Sequence, residues 1–422
     1  MGYEGYKNMV LGKLVAWYKT TAITAANALI LLILINLASF FLLRIDGEQS
    51  SVNQHTRAWL IEKYGFDRLA RAYSGWDQKD LQTLLRETSN WVDEYEPFTQ
   101  FRPIPRRDKF ITITQHGYRP VEDQGAWPPP RDITAVFFFG GSTTMGAGLP
   151  DGDTIPAHFQ RLAANCTEPI RVYNFGRGYY FSTQERILFH QLLLDDHVPR
   201  LAIFIDGLND FYFAAGEPQW TSALRRYMSQ AQTEAMPRTI GVWPASKALF
   251  RNLPVTRYIT TKVSSQPEIP TSSKLDRALP LASVPEIPFE AKFEESAKAV
   301  IRRWQGNRRL IEASSRKLGI KVAFVFQPVP TYSYDLRFLN VYDGDPTLFA
   351  DHKRSATGYR LMAELVSKNV WGKNFLWLGE IQRARKENLY VDAIHYNSRF
   401  SGEIAREIFR FTTDNQLLNC GR

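Results

Sequence analysis

Four short apolar runs constrain this chain more than any other feature. Ala135-Val136-Phe137-Phe138-Phe139, Val172-Tyr173, Leu201-Ala202-Ile203-Phe204-Ile205 and Val322-Ala323-Phe324-Val325-Phe326 are continuous rather than alternating, and the first three run directly into turns containing Gly, Ser or Asn. Such runs are expected of strands buried on both faces, which is how parallel sheets are built. The stretch from Glu290 to Lys317, just before the last of them, has the periodicity of a long amphipathic helix, with Trp304 and Leu310 among its apolar positions. Strand and helix signals then recur to the end, which predicts a three-layer α/β/α domain with a mostly parallel sheet. With 44% hydrophobic residues in 422, the chain can fill the core that this fold needs.

In an open parallel sheet, ligands bind at the carboxyl ends of the strands. Those are the places where Gly140-Gly141-Ser142, Asn174-Phe175-Gly176 and Gly207-Leu208-Asn209-Asp210 fall, and Asp392-Ala393-Ile394-His395 follows late in the chain. Taken singly, each has an ordinary explanation. The first reads as a strand-to-helix turn with a capping hydroxyl, the third as an Asx turn and the last as a capped helix start. A phosphate loop is excluded because no Lys-Ser/Thr follows the glycines.

In this order, the four stretches resemble the motif blocks of the SGNH (GDSL-type) hydrolases, and the resemblance covers residues 133 to 415. It implies a flavodoxin-like α/β/α domain in which Ser142 stands for the nucleophile, Gly176 for the second-block Gly and Asn209 for the third-block Asn. Asp392 and His395 stand for the last pair. The Asp that precedes the family's Ser is Gly141 here, as in members whose first block is Gly-Gly-Ser-Thr-Thr. Gly178 and Asp210 read as structural.

The chemistry follows from the residue types. A Ser hydroxyl needs a base to take its proton as it attacks an ester carbonyl, and His395 is the candidate. Asp392, three residues earlier, can hold the other ring nitrogen and fix the tautomer. The negative oxygen of the tetrahedral intermediate calls for an oxyanion hole, expected from the Ser142 and Gly176 backbone N–H groups and the Asn209 amide.

Residues Thr20 to Leu43 carry no charge and as a helix would span about 36 Å, enough to cross a bilayer. Trp17 and Tyr18 fit an interface, and Lys7, Lys13 and Lys19 precede the span while Arg44 and Arg57 follow it. This slight bias favours a cytoplasmic N-terminus over 1–19, a single-pass anchor over 20–43 and the rest outside the cytoplasm, and the resemblance implies an inner (cytoplasmic) membrane with an extracytoplasmic (periplasmic) domain. A cleaved signal peptide is the alternative. Asn27, Asn36 and Ser39 within the span are groups that often bond across helix pairs, so an integral membrane partner is possible.

Residues 44–132 read as a stalk and lead-in to a domain over 133–422, with a helix at Asp77 to Asn90 and a strand at Phe110-Ile111-Thr112-Ile113-Thr114. Tyr95 to Pro103 and Gly117-Tyr118-Arg119 resemble the lead-in of membrane-anchored SGNH proteins encoded with polysaccharide assembly systems. An insertion is expected at 211–288, since eight of the 23 prolines fall between Pro237 and Pro288. Residues 211–287 hold nine Lys or Arg against five Asp or Glu, which suits either an acidic glycan or an ordinary solvated loop.

Cys166 and Cys420 would both lie outside the cytoplasm, where a disulfide between them is permitted. No Cys or His pair has ligand spacing, so no metal is expected, and nothing implies a cofactor. No motif for nucleic acid accompanies the net charge of +9. The expected function is a serine esterase acting on acyl esters, by resemblance acetyl esters of an envelope polysaccharide. An O-acetyltransferase with a membrane partner and a non-catalytic SGNH-like subunit are the alternatives.

Overall fold

A computed structural model describes residues 3–56, 58–130, 132–212, 253, 255, 289–368 and 371–421. These fall into two compact units: one is built on the N-terminal helix, and the other contains the sheet with everything packed on it.

In the first unit, α1 runs from Tyr3 to Thr56 and contains an apolar stretch, Leu11–Phe41, that is long enough to cross a membrane. The stretch starts earlier than the uncharged run because it takes in Lys13 and Lys19, whose long stems can lie along apolar surface while their charges reach out. Four of its polar side chains bond within the chain. Thr20, Thr21 and Thr24 donate to carbonyls one turn back, Asn36 Nδ2 donates to Leu32 O at 2.8 Å, and Asn36 Oδ1 accepts from Val255 N–H at 3.3 Å.

The second unit begins with α2 (Trp59–Tyr64), α3 (Phe66–Ala70) and α4 (Gln78–Ser89), the last capped by Asp77, whose carboxylate accepts from Lys79 and Asp80 N–H. Two small antiparallel pairs follow. One joins β1 (Asp93–Glu96) to β2 (Gln100–Pro103), and the other joins β3 (Arg106–Arg107) to β4 (Thr112–Ile113). Of the strand expected at 110–114, only Thr112 and Ile113 pair.

The main sheet is parallel throughout: β5 (Thr134–Gly140), β6 (Ile170–Asn174), β7 (Leu201–Asp206), β8 (Lys321–Phe326) and β9 (Phe375–Trp377), in spatial order β6-β5-β7-β8-β9. This is the flavodoxin-like order, with its switch point between β5 and β7. The connecting helices are α5 (Ser142–Met145), α6 (Ile155–Ala163), α7 (Ser182–Leu194), α8 (Leu208–Tyr212), α9 (Phe289–Leu318), α10 (Ser355–Ser367) and α11 (Ser398–Asp414). Residues alternate between two cores. Val136, Phe138, Ile203 and Val325 share one with Phe159, Ile404 and Ile408, while Phe137, Phe139, Phe204 and Phe324 share the other with Phe189, Trp304 and Met362. Rings stack across the strands there, with Phe139 on Phe204 at 4.9 Å and Phe204 on Phe324 at 5.5 Å.

Three expectations are corrected. Leu310 is not an apolar contact of α9 but is 54% exposed; at six residues from Trp304 it lies well round the helix, whereas Ile311, at seven, returns to the buried face. The domain does not begin at 133, because residues 58–130 belong to the same unit as the sheet. Arg119, Phe101 and Leu84 are buried within that unit, so the lead-in is part of the domain and not a stalk beside it. The segment expected as an insertion also starts later, since Phe211 and Tyr212 complete α8 and Phe211 is fully buried. The remainder of that expected insertion, with its prolines and basic surplus, lies outside the described residues apart from 253 and 255.

Cys166 and Cys420 are joined by a disulfide that ties the loop after α6 to the end of the chain.

Candidate active site

β5 ends at Gly140, and the chain turns through Gly141 into α5, so Ser142 is the first helical residue at the switch point of the sheet. Its backbone N–H is one that a helix start leaves without a helical acceptor. Gly141 is required by space: a Cβ there would collide with Asn209 Nδ2.

The bend before α11 brings the last motif to the same point. Ser142 Oγ and His395 Nε2 are 2.8 Å apart, and His395 Nδ1 and Asp392 Oδ2 are 2.7 Å apart. Asp392 Oδ1 also accepts the Ile394 and His395 backbone N–H groups, each at 2.9 Å. Burial alone would raise the Asp392 carboxyl, but the His395 charge and these hydrogen bonds hold it below the usual carboxylate range. Asp392 is therefore an oriented carboxylate and not a helix cap; that position is taken by Asn397, whose side chain accepts from Phe400 N–H.

Asn209 lies on α8 with its Nδ2 donating to Tyr180 O at 2.7 Å. An amide nitrogen has two hydrogens, so one is left for a ligand. Gly176 is placed differently from expectation. Its N–H donates to Asn174 Oδ1 at 3.0 Å, and a Cβ on it would run into the Met145 nitrogen. Asn174 Nδ2 in turn donates to Thr144 O at 3.1 Å, so this pair fastens the second motif to the back of α5. Gly176 is thereby removed from the donor set as a packing residue. The cavity is instead lined by Gly178 and Tyr179 of the same loop, Tyr179 with a φ of 61°.

That cavity has a volume of about 800 Å³, and Ser142, His395 and Asn209 form part of its wall. The same cavity is also lined by residues that motif reading did not single out: Trp59, Lys63 and Tyr64 of α2, Trp91 after α4, and Phe349 and His352 of the segment Pro346–Arg354. Lys63 lies against the Tyr64 ring at 4.8 Å; burial lowers its ammonium from the ordinary value, with Asp392 opposing. The His352 ring lies tilted against that of Tyr212, with centroids 4.5 Å apart. Burial brings its imidazole down to about 3, helped by His395 and Lys63 and opposed by Asp392, so the ring is neutral. No spacing rule would have found these residues, because they come from distant segments.

The lead-in also builds the floor. Arg119, buried and paired with Asp151 at 2.7 Å, donates to the carbonyls of Met145, Gly146 and Leu149 at the end of α5. Tyr180 OH donates to Phe101 O at 2.6 Å, and Gln184 Nε2 to Thr99 O at 2.7 Å. Behind Asn209, the buried carboxyls of Glu185, Asp206 and Asp210 cluster. Asp210 accepts from Ser182 Oγ at 2.6 Å and Asp206 accepts from Trp304 Nε1 at 2.8 Å, which gives Asp210 the structural place expected of it. Among the described residues, no group of side chains has the composition to hold a metal ion.

No family profile and no curated relative matches this sequence. Among solved structures, it is similar to a protein assigned to the lipolytic G-D-S-L family from Desulfitobacterium hafniense, at 13% identity and a TM-score of 0.32, covering 68% of this chain and 99% of that one. It is also similar to a carbohydrate acetylesterase family member from Sinorhizobium meliloti, at 13% identity and a TM-score of 0.31, covering 68% and 100%. A GDSL-like lipase from Bacteroides thetaiotaomicron matches at 12% identity and a TM-score of 0.31, covering 69% and 92%.

Proposed function

We propose that this chain is a membrane-anchored serine esterase that cleaves acyl esters, in the first place acetyl esters of an envelope polysaccharide, through Ser142, His395 and Asp392. The observation that carries the reading is the continuous contact from Asp392 through His395 to Ser142 Oγ at the wall of a cavity. Ser142 Oγ attacks the ester carbonyl as His395 Nε2 takes its proton, and the tetrahedral oxyanion is met by the Ser142 N–H, the free hydrogen of Asn209 Nδ2 and the Gly178–Tyr179 backbone. His395 then returns the proton to the departing alcohol, leaving an acyl-serine that water attacks in the second half-reaction.

The apolar stretch of α1 supports the anchor, and the Cys166–Cys420 bond supports an oxidising compartment such as the periplasm for the domain. A second reading, in which a sugar hydroxyl replaces water and the chain transfers the acyl group, fits the same cavity, which is larger than an acetyl group fills. The two readings share the acyl-enzyme.

The test is phenyl acetate hydrolysis and fluorophosphonate labelling by the full chain in detergent, beside Ser142→Ala. Turnover and labelling that both vanish in the variant support the reading. A folded wild-type protein that neither labels nor turns over would leave a binding subunit as the better description.

A further inference from the structure

One polar group in the cavity has no part in the chemistry above. His352 is on Pro346–Arg354, the segment that packs on α8, and neither of its ring nitrogens makes a hydrogen bond among the described residues. Nδ1 is sealed from solvent. The backbone two residues before it is strained as well: Ala350 has φ 44° and ψ −128°, a region that non-glycine residues rarely occupy. A ring whose nitrogens have no hydrogen-bond partner among the described residues, beside a strained backbone and at the wall of a cavity that holds Ser142 and His395, has polar capacity left for a ligand.

The kind of ligand follows from the ring's surroundings. With Nδ1 sealed, Nε2 is the atom that can reach the cavity, and a neutral imidazole offers there one N–H or one lone pair according to tautomer. Protonation is suppressed by burial, so an anion would find no charge on it. A hydroxyl, which donates and accepts, suits either tautomer. Around it, Trp59, Trp91, Tyr179 and Tyr212 present aromatic surface, which matches the alternating apolar and hydroxylated faces of a sugar ring.

We propose that His352 is a substrate-binding residue that hydrogen-bonds a free hydroxyl on the alcohol half of the ester, so that the cavity selects esters of polyhydroxylated alcohols over esters of alcohols without further hydroxyls. No bond is made or broken through it; His395 remains the base. The inference rests on the esterase reading and specifies what that site selects.

The test compares full-length wild type, His352→Phe and His352→Gln on two probes, phenyl acetate and 6-O-acetylglucose. Phenylalanine keeps an aromatic ring beside Tyr212 while removing the nitrogens, and matched thermal melts establish that it folds. The expected result is a roughly 10- to 100-fold loss of kcat/KM on the sugar ester, mainly in KM, with less than about 3-fold change on phenyl acetate and partial recovery in the Gln variant. Equal losses on both probes, no loss on either, or a wild type that turns over phenyl acetate but not the sugar ester would overturn the proposal and leave the esterase reading standing. A wild type inert to phenyl acetate and to fluorophosphonate overturns both.

Discussion

On the sheet side of the cavity the polar groups hold one another: Asp392 holds His395, His395 meets Ser142, and Tyr180 fixes one hydrogen of the Asn209 amide. Where α2 and Pro346–Arg354 line the same cavity, the Lys63 ammonium lies over an aromatic ring and His352 has no hydrogen-bonded ring nitrogen among the described residues. The first side is preorganised before any substrate arrives, which is what stabilising a developing charge requires. The second has its polar capacity still to use, which is what recognition requires. Perturbing the first side should therefore slow every substrate alike, and perturbing the second should alter the choice among substrates.

The largest effect should come from breaking the sheet side at its centre. Ser142→Ala or His395→Ala should lower kcat by about 10⁴-fold or more on any ester, and Asp392→Asn by roughly 10³- to 10⁴-fold, with thermal melts of Ser142→Ala unchanged. Steady-state rates on phenyl acetate and on a sugar ester check this; a variant impaired on only one of them would contradict the division of labour between the walls.

Next in size is Asn209→Ala, which removes one proposed oxyanion donor and should reduce kcat by about 10²- to 10³-fold with little change in KM. The same comparison separates Gly176 from Tyr179. If Gly176 is a packing residue, Gly176→Ala should appear first as a lowered melting temperature, because its Cβ has no room against α5. A fully stable Gly176→Ala protein with reduced kcat would return Gly176 to the donor set.

What could be read from the sequence divides along the same line. Ser142 and Asn209 were legible because a strand end fixes where the next few residues go, and Asp392 and His395 because their own spacing lets one hold the other. Gly176, expected as a donor, gives its N–H to Asn174 Oδ1, and which way that N–H faces depends on a loop path that composition does not encode. The rest of the cavity wall was illegible for a different reason. Trp59, Lys63 and His352 come from segments with no motif, and only tertiary packing brings them to one cavity. The lead-in was half legible: Arg119 was flagged with its neighbours, but its burial under α5 was not foreseeable from a basic residue in a loop.

Arg119 supports the turn that carries Ser142 from the lead-in, and cutting it tests how far the sheet side depends on that support. Arg119→Leu removes an ion pair and the donors to three carbonyls at the end of α5. The expected cost is about 2–3 kcal/mol of stability, together with a fall in kcat as the turn carrying Ser142 loosens. Denaturant unfolding and kcat on phenyl acetate should move together. A destabilised variant with wild-type kcat would show that α5 holds Ser142 without help from the lead-in.

The smallest predicted effect lies behind the sheet side. Glu185 Oε2 and Asp206 Oδ1 are buried without a donor among the described residues, yet the two carboxyls are in hydrogen-bonding reach of each other, so a proton between them satisfies both. Burial, with Asp210 adding to it, pushes the Asp206 carboxyl up to about 7, against the hydrogen bond from Trp304, while Arg303 offsets Asp210. A carboxyl whose folded pKa lies above its unfolded one contributes stability that is complete below about 4 and is lost as pH rises through 7. Wild-type stability should therefore fall by about 1 kcal/mol between pH 6 and 8. Asp206→Asn can still accept from Trp304 and can donate to Glu185 without a shared proton, so its unfolding free energy should be flatter over the same range. Equal slopes in the two proteins would mean that the cluster keeps its proton throughout, and that the ground behind Asn209 is insensitive to pH.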